Sequence, residues 1–334
     1  MSFADYGGPH RESESIVGMK TLRLLLAPML FAALIVAPAR AQFPERTVKL
    51  IVPWPAGGDT DIIFRALAPL LQKHLGQPVV VTNITGASGT VGAREAKTAS
   101  ADGYTIYGMH DYIHIVHYSG LTDIGYQDFE PVCLAAATPS VLTASARTPW
   151  KDWEEFLTDA RKRPGEITVG ATPSTNSQIF PAVIELKAGV KFKYVTYEGS
   201  APRWAATVEG KIDLTNANPT LKDKVAAGQL KFLAIATEQR DSEIPNVPTL
   251  RELGFDIVHE VARGLVLPKG TPAPVRAKLV EACRKATAEP AFKESMRVQG
   301  TRVAFLDDQG YVAFLSKIDA ETKAIMLRLG LFKN

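Results

Sequence analysis

Val52-Pro53-Trp54-Pro55-Ala56-Gly57-Gly58-Asp59-Thr60-Asp61 is the stretch on which the reading of this 334-residue chain turns. Before it lies a short apolar run, Val48 to Val52, of the length and composition of a buried strand. After it, Ile62, Ile63, Leu67, Leu70 and Leu71 recur at helical spacing. The prolines stop the strand and stiffen the loop, because each fixes φ and removes a backbone donor. Gly57 and Gly58 allow the backbone to approach a guest with no side chain between amide and ligand. Asp59 or Thr60 can cap the helix, whose first-turn N–H groups carry the positive end of its dipole. A strand–loop–helix turn of this kind is a natural cradle for a small anion, and Trp54, Ala56, Gly57, Gly58, Asp59, Thr60 and Asp61 are its candidate contacts. The same composition also serves any tight turn between a strand and a helix. Asp61 and Arg65, four apart, read as a helix-supporting pair.

A second unit repeats the plan. Pro78 to Asn83 is a short buried strand, Gly86-Ala87-Ser88-Gly89 a glycine-rich loop, and Thr90 to Thr98 a helix. Asp102-Gly103 turns the chain into a third strand at Tyr104 to Tyr107, followed by His110 and Asp111. Successive crossovers bring helix starts to one carboxyl edge of a sheet, where open α/β sheets bind ligands. Gly86, Ala87, Ser88, Gly89, His110 and Asp111 therefore join the candidates.

The alternation of strand and helix continues, which predicts parallel sheets with right-handed crossovers. Ile167 to Gly170 is a strand that ends in a loop of hydroxyls and caps carrying Ser174, Thr175, Asn176 and Gln178. Phe192 to Tyr197 leads to Gly199, Ser200 and Ala201 at another helix start, and Ile212 to Asn216 is a strand with Asn218 just beyond it. The run from Asp256 to Pro268 is apolar without helical period. It reads as a strand crossing back to the first half, and Arg263 on it could meet a second carboxylate. Helices at about 274–288 and 309–329 should pack on that first half. The expected division is residues 42–142 with 262–334 as domain 1 and 143–261 as domain 2.

The chain starts with a segment outside that count. From Met19, Lys20 and Arg23 precede an apolar run from Leu24 to Pro38, closed by Ala39-Arg40-Ala41. This is the pattern of a secretory signal peptide over residues 1–41, with Met19 as an alternative start. The run is too short for a membrane-spanning helix. A net charge of +3 without a basic cluster gives no basis for nucleic-acid binding. Of the two cysteines, Cys133 falls in an apolar strand and Cys283 in a helix. They are read as two separately buried thiols, although export permits a disulfide.

Six short patterns occur in one order: 52–61 with Arg65, 83–93, 102–105, 197–202, 246–249 and 264–272. Together they resemble the tripartite tricarboxylate transporter receptors, the Bug family, over essentially all of residues 43–330. The resemblance implies an α/β, two-domain periplasmic-binding-protein-like fold with a ligand cleft between the domains. It implies a periplasmic, monomeric solute receptor that hands a small organic acid or amino-acid-like carboxylate to integral-membrane transporter subunits, with no cofactor. The 54–61 and 86–89 loops would hold one carboxylate, and the 174–178 and 199–201 loops would close on it from the other side. Ser88, Thr60, Ser174, Thr175 and Ser200 can donate or accept as the ligand demands, and Asn216 and Asn218 could read its distal end. Asp59, Gln178, Glu198 and Ala262 depart from the family's usual residues. They point to a ligand with one carboxylate plus an uncharged or aminated end.

The competing classes find less. No G-x-S-x-G elbow, H-E-x-x-H or P-loop occurs, and Gly86, Gly89 and Gly92 do not have dinucleotide-binding spacing, so no enzyme is expected. His110, His114 and His117 have formal metal-ligand spacing on a helix, but no carboxylate or cysteine partner is fixed, and core or surface histidines are the preferred reading. A ligand sensor for a signalling partner would look identical in sequence.

Overall fold

The structure, a computed structural model, describes residues 43–333. The signal-peptide reading therefore lies outside the described residues. The first half opens with β1 (Val48–Val52), α1 (Asp59–Leu75), β2 (Val79–Asn83), α2 (Thr90–Thr98), β3 (Thr105–His110), α3 (Tyr112–Tyr118) and β4 (Phe129–Pro139). Helix α1 buries Ile63, Leu67 and Leu71 of its expected stripe together with Phe64 and Ala68, leaves Ile62 and Leu70 half-buried, and ends at Gly76 in the left-handed conformation.

After Ser140 the chain enters the second half. Its elements are β5 (Val141–Ser145), α4 (Trp153–Lys162), β6 (Thr168–Ala171), α5 (Asn176–Ala188), β7 (Lys193–Thr196), α6 (Ser200–Val208), β8 (Leu214–Ala217), α7 (Lys222–Ala226) and β9 (Leu230–Ile235). It then returns through β10 (Glu260–Pro268) and finishes with α8 (Ala273–Ala288), α9 (Pro290–Val298), β11 (Arg302–Leu306) and α10 (Asp308–Arg328).

Two sheets result, one in the order β11-β4-β10-β3-β1-β2 and one in the order β7-β6-β8-β5-β9. Each has its own apolar core, one around Leu50, Phe64, Val266 and Phe292, the other around Trp153, Phe156, Val169 and Phe180. The expected parallel sheets are corrected to mixed ones. β1 pairs parallel with β2 and β3, but β10 runs antiparallel to both β3 and β4, and β5 antiparallel to β8 and β9. The reason is topological, since a strand returning from the other sheet has no crossover helix to reverse it.

The two passages between sheets lie side by side. Ser140 N donates to His259 O at 3.0 Å, and the Ser140 hydroxyl and His259 Nδ1 are 2.8 Å apart. The C-terminal helices sit where the sequence puts them, with α8 against α1 and β4, and α10 against β4 and α3. At its end, Met326 also shares a small apolar cluster with Ile115, Tyr118 and Ile179, the last from α5 of the second sheet.

The cysteine expectation is overturned. Cys133 on β4 and Cys283 on α8 form a disulfide with Cα atoms 6.6 Å apart, closing a loop with a sequence separation of 150. Each thiol is buried, but α8 packs across β4, and that proximity is not visible at such a separation. Among the described residues, no helix is long and apolar enough to cross a membrane.

Candidate functional site

The ends of β1, β3, β6, β7 and β8 converge on one cavity between the two sheets, of about 60 Å³. That is room for roughly four or five waters, hence for a small metabolite. Trp54, Asp59, Thr60, His110 and Arg263 line it from the first sheet. Thr172, Thr175, Asn176, Ser177, Gly199, Ser200, Arg203 and Asn216 line it from the second, with Val261 on the returning strand. These positions lie mainly at carboxyl ends of strands or in the helix starts beyond them, as the rule for open α/β sheets requires.

Two buried arginines dominate its electrostatics. Arg263 sits opposite His110 in the β10–β3 register and is 1 % exposed. Its guanidinium donates to Thr60 Oγ1 at 3.0 Å, Thr138 Oγ1 at 2.8 Å, Val261 O at 3.0 Å and Asp59 Oδ2 at 2.5 Å. Arg203, in the first turn of α6, donates from Nε to Thr215 Oγ1 at 2.9 Å and from Nη2 to Asn216 O at 3.1 Å. Among the described residues it has no carboxylate at ion-pair distance, and burial pulls its pKa down to about 10. Burial would raise the Asp59 carboxyl, but Arg263, the Ser200 hydroxyl and Arg203 outweigh it and hold Asp59 ionised. Burial pushes His110 below the ordinary histidine value against the pull of Asp111, so its ring is neutral near pH 7. Two buried polar atoms of lining residues, Trp54 Nε1 and Asn216 Oδ1, have no hydrogen-bond partner among the described residues. Buried polar groups are ordinarily paired, so a donor and an acceptor are left for a guest.

The glycine-turn cradle differs from expectation. Its amides are already used: Gly57 N donates to Asp61 Oδ2 at 2.9 Å, Thr60 N to Asp59 Oδ1 at 2.9 Å, and Asp59 N to Ser200 Oγ at 3.1 Å. The loop's own carboxylates take the Gly57 and Thr60 donors, and the Ser200 hydroxyl takes that of Asp59, all of which the sequence assigns to a ligand. Asp61 is a structural hub, accepting also from Arg65 Nε and Asn83 Nδ2 at 2.8 Å each. Ala56, Gly57, Gly58 and Ala201 stand beside the cavity without lining it.

Gly86, Ala87, Ser88 and Gly89 lie farther back. A Cβ on Gly89 would meet Tyr112 at 2.9 Å and Trp54 at 3.1 Å, so this loop backs the Trp54 indole. Asp111 accepts from Asn176 Nδ2 at 2.5 Å and from Ala262 N at 3.2 Å, tying α5 to the first sheet. Gln178 accepts from Ser174 N at 2.7 Å and faces a separate surface cavity. Asn218 caps a short turn at Thr220 and lines a neighbouring small cavity that shares Asp59, Arg203 and Asn216. His114 is fully buried against Asp319, with His114 Nδ1 and Asp319 Oδ1 2.9 Å apart.

Arg203, Thr172 and Val261 were not among the sequence candidates, and Ser177 entered only as part of the 174–178 loop. Arg203 did carry a signal: a cation in the first turn of a helix opposes the helix dipole, which calls for a compensating function.

The family model described as "Tripartite tricarboxylate transporter family receptor" matches residues 63–331. A "UPF0065 protein in gbd 5'region" of Cupriavidus necator is 33% identical over 303 residues, covering 89% of this chain and 92% of that protein. The structure of periplasmic binding protein BugD superposes with a TM-score of 0.83 at 28% identity, covering 87% of this chain and 100% of that one. MatC (Rpa3494) from Rhodopseudomonas palustris with bound malate gives 0.79 at 28% identity, covering 85% and 99%. R. palustris Rpa4515 with adipate gives 0.80 at 27%, covering 86% and 98%. With a two-sheet α/β fold, a cavity between the sheets and a family match over most of its length, this chain belongs to the tripartite tricarboxylate transporter receptors.

Proposed function

We propose that this chain is a non-catalytic periplasmic receptor, exported by its leader at residues 1–41. It closes two lobes, 42–142 with 262–334 and 143–261, over a small organic carboxylate and presents it to integral-membrane transporter subunits. The observation that carries this reading is Arg203: a buried guanidinium facing a cavity which, among the described residues, has no carboxylate at ion-pair distance and lies beside an indole N–H with no hydrogen-bond partner. A buried unpaired cation is costly unless a ligand completes it, so an anion is the fitting guest. The carboxylates bound to MatC and Rpa4515 support the same ligand class. The paired passages at Ser140 and His259 are the natural hinge, because motion there leaves both cores intact.

Calorimetric titration of the purified protein with a panel of organic acids tests this. Saturable binding of a carboxylate at one site per chain is expected, with no turnover of the bound acid. Silence toward every acid, or conversion of the ligand, overturns it.

A further inference from the structure

The charges around the cavity bear on which acids it takes. Asp59 is held at both oxygens: Oδ1 accepts from Thr60 N and from Ser200 Oγ, each at 2.9 Å, and Oδ2 from Arg263 at 2.5 Å. Arg263 thus already has its counter-ion, supplied by the protein. Arg203 lines the same cavity with no carboxylate at ion-pair distance among the described residues, and Asp59 attracts it only from farther off. Asp59 also borders the neighbouring small cavity lined by Thr138, Ser140 and Asn218, so it stands between the two spaces.

We propose that Asp59 is a specificity-determining residue: its carboxylate occupies the place opposite Arg263 that a second ligand carboxylate would need. The site then selects small monocarboxylates bearing a hydrogen-bond donor over dicarboxylates. The inference rests on the receptor reading above. Arg203 receives the single carboxylate, and Asn216 Oδ1, buried without a partner among the described residues, calls for a hydroxyl or amino group on the ligand. A second ligand carboxylate would meet Asp59 in a low-dielectric cavity, where like charges repel strongly. The discrimination is negative, achieved by a fixed charge that penalises the wrong ligand.

The test is isothermal titration calorimetry at pH 7.5 with lactate, glycerate, serine, malate and adipate. Wild type, Asp59→Ser and Asp59→Asn are compared. Wild type should bind at least one monocarboxylate about ten-fold or more tighter than either dicarboxylate, and both variants should shift that ratio about ten-fold or more toward malate or adipate. Preference of wild type for a dicarboxylate overturns the inference, as does an unchanged ratio in variants that melt cooperatively. The wild-type ratio decides by itself if neither variant folds. Silence of wild type toward all five acids overturns this choice of ligand, and the receptor reading falls separately only if the wider acid panel is silent too.

Discussion

Ser200, at the start of α6, and Asp59, at the start of α1, hold each other across the gap between the sheets: Asp59 N donates to Ser200 Oγ at 3.1 Å and Ser200 Oγ donates to Asp59 Oδ1 at 2.9 Å. The contact requires close backbone approach. A Cβ on Gly58 would fall 2.8 Å from Ser200 Oγ, and one on Gly199 2.8 Å from Pro55 Cδ, with Gly199 at φ +83°.

Removing this contact should loosen the two halves without unfolding either. Ser200→Ala is expected to weaken binding of the carboxylate ligand about ten-fold, the worth of a hydrogen bond to a charged group. Gly199→Ala should weaken it further, through strain at positive φ and the clash with Pro55. Calorimetry beside small-angle scattering checks both. Unchanged affinity in the two variants would mean that the contact is incidental to the site.

The Cys133–Cys283 bridge lies within the half built on the first sheet. Reduction should therefore lower the unfolding free energy by roughly 3–5 kcal/mol, because a long loop is released in the unfolded chain. Urea unfolding with and without a phosphine reductant measures the change, and Cys133→Ser with Cys283→Ser should reproduce it. Ligand affinity should be retained, since neither cysteine lines the cavity.

His110 and His259 set the acid limb of stability. Burial lowers both below the ordinary value of 6.5, so the folded protein keeps them neutral while the unfolded chain takes up protons. Stability is therefore full above about pH 6.5 and is lost as pH falls from there toward the folded-state values. Urea midpoints at pH 7.5, 6.5 and 5.5 should fall in that order, and His259→Asn should flatten the slope. Asp59 and Asp111, held low, add their own loss only below the ordinary carboxylate value of 3.8. A midpoint independent of pH over this range would contradict the assignment.

Much of this fold was legible because its signals are local. The run Val48–Val52, the Pro and Gly loop and the periodic α1 each announce themselves within a few residues, and the return strand around Arg263 showed in its lack of helical period. What was hidden is long-range. The antiparallel placement of β10, the short α9 and β11, and the disulfide all depend on which elements meet after folding. Of the residues read from sequence, Trp54, Asp59, Thr60, His110, Thr175, Asn176, Gly199, Ser200, Asn216 and Arg263 line one cavity, while Gly57, Gly58, Gly86 and Gly89 of the glycine turns do not. Trp54, Asp59 and Thr60 of the glycine loop line the cavity, yet the Gly57 and Thr60 amides are taken by Asp61 and Asp59 of the same loop and the Asp59 amide by Ser200, a competition that spacing alone does not resolve. Arg203 drew no reading from the sequence, and its burial follows only from β8 packing beneath it.

Arg203 is the residue on which the receptor reading stands, and Arg203→Met separates function from stability most cleanly. Removing an unpaired buried charge while keeping an apolar side chain of similar length should leave the melting temperature unchanged or raised. Calorimetric titration of the variant with the carboxylate that binds wild type should show a loss of about a hundred-fold or more, as expected for a charge-assisted contact made inside a cavity. A variant that melts cooperatively and binds the acid as tightly as wild type would contradict the assignment of the carboxylate to this arginine.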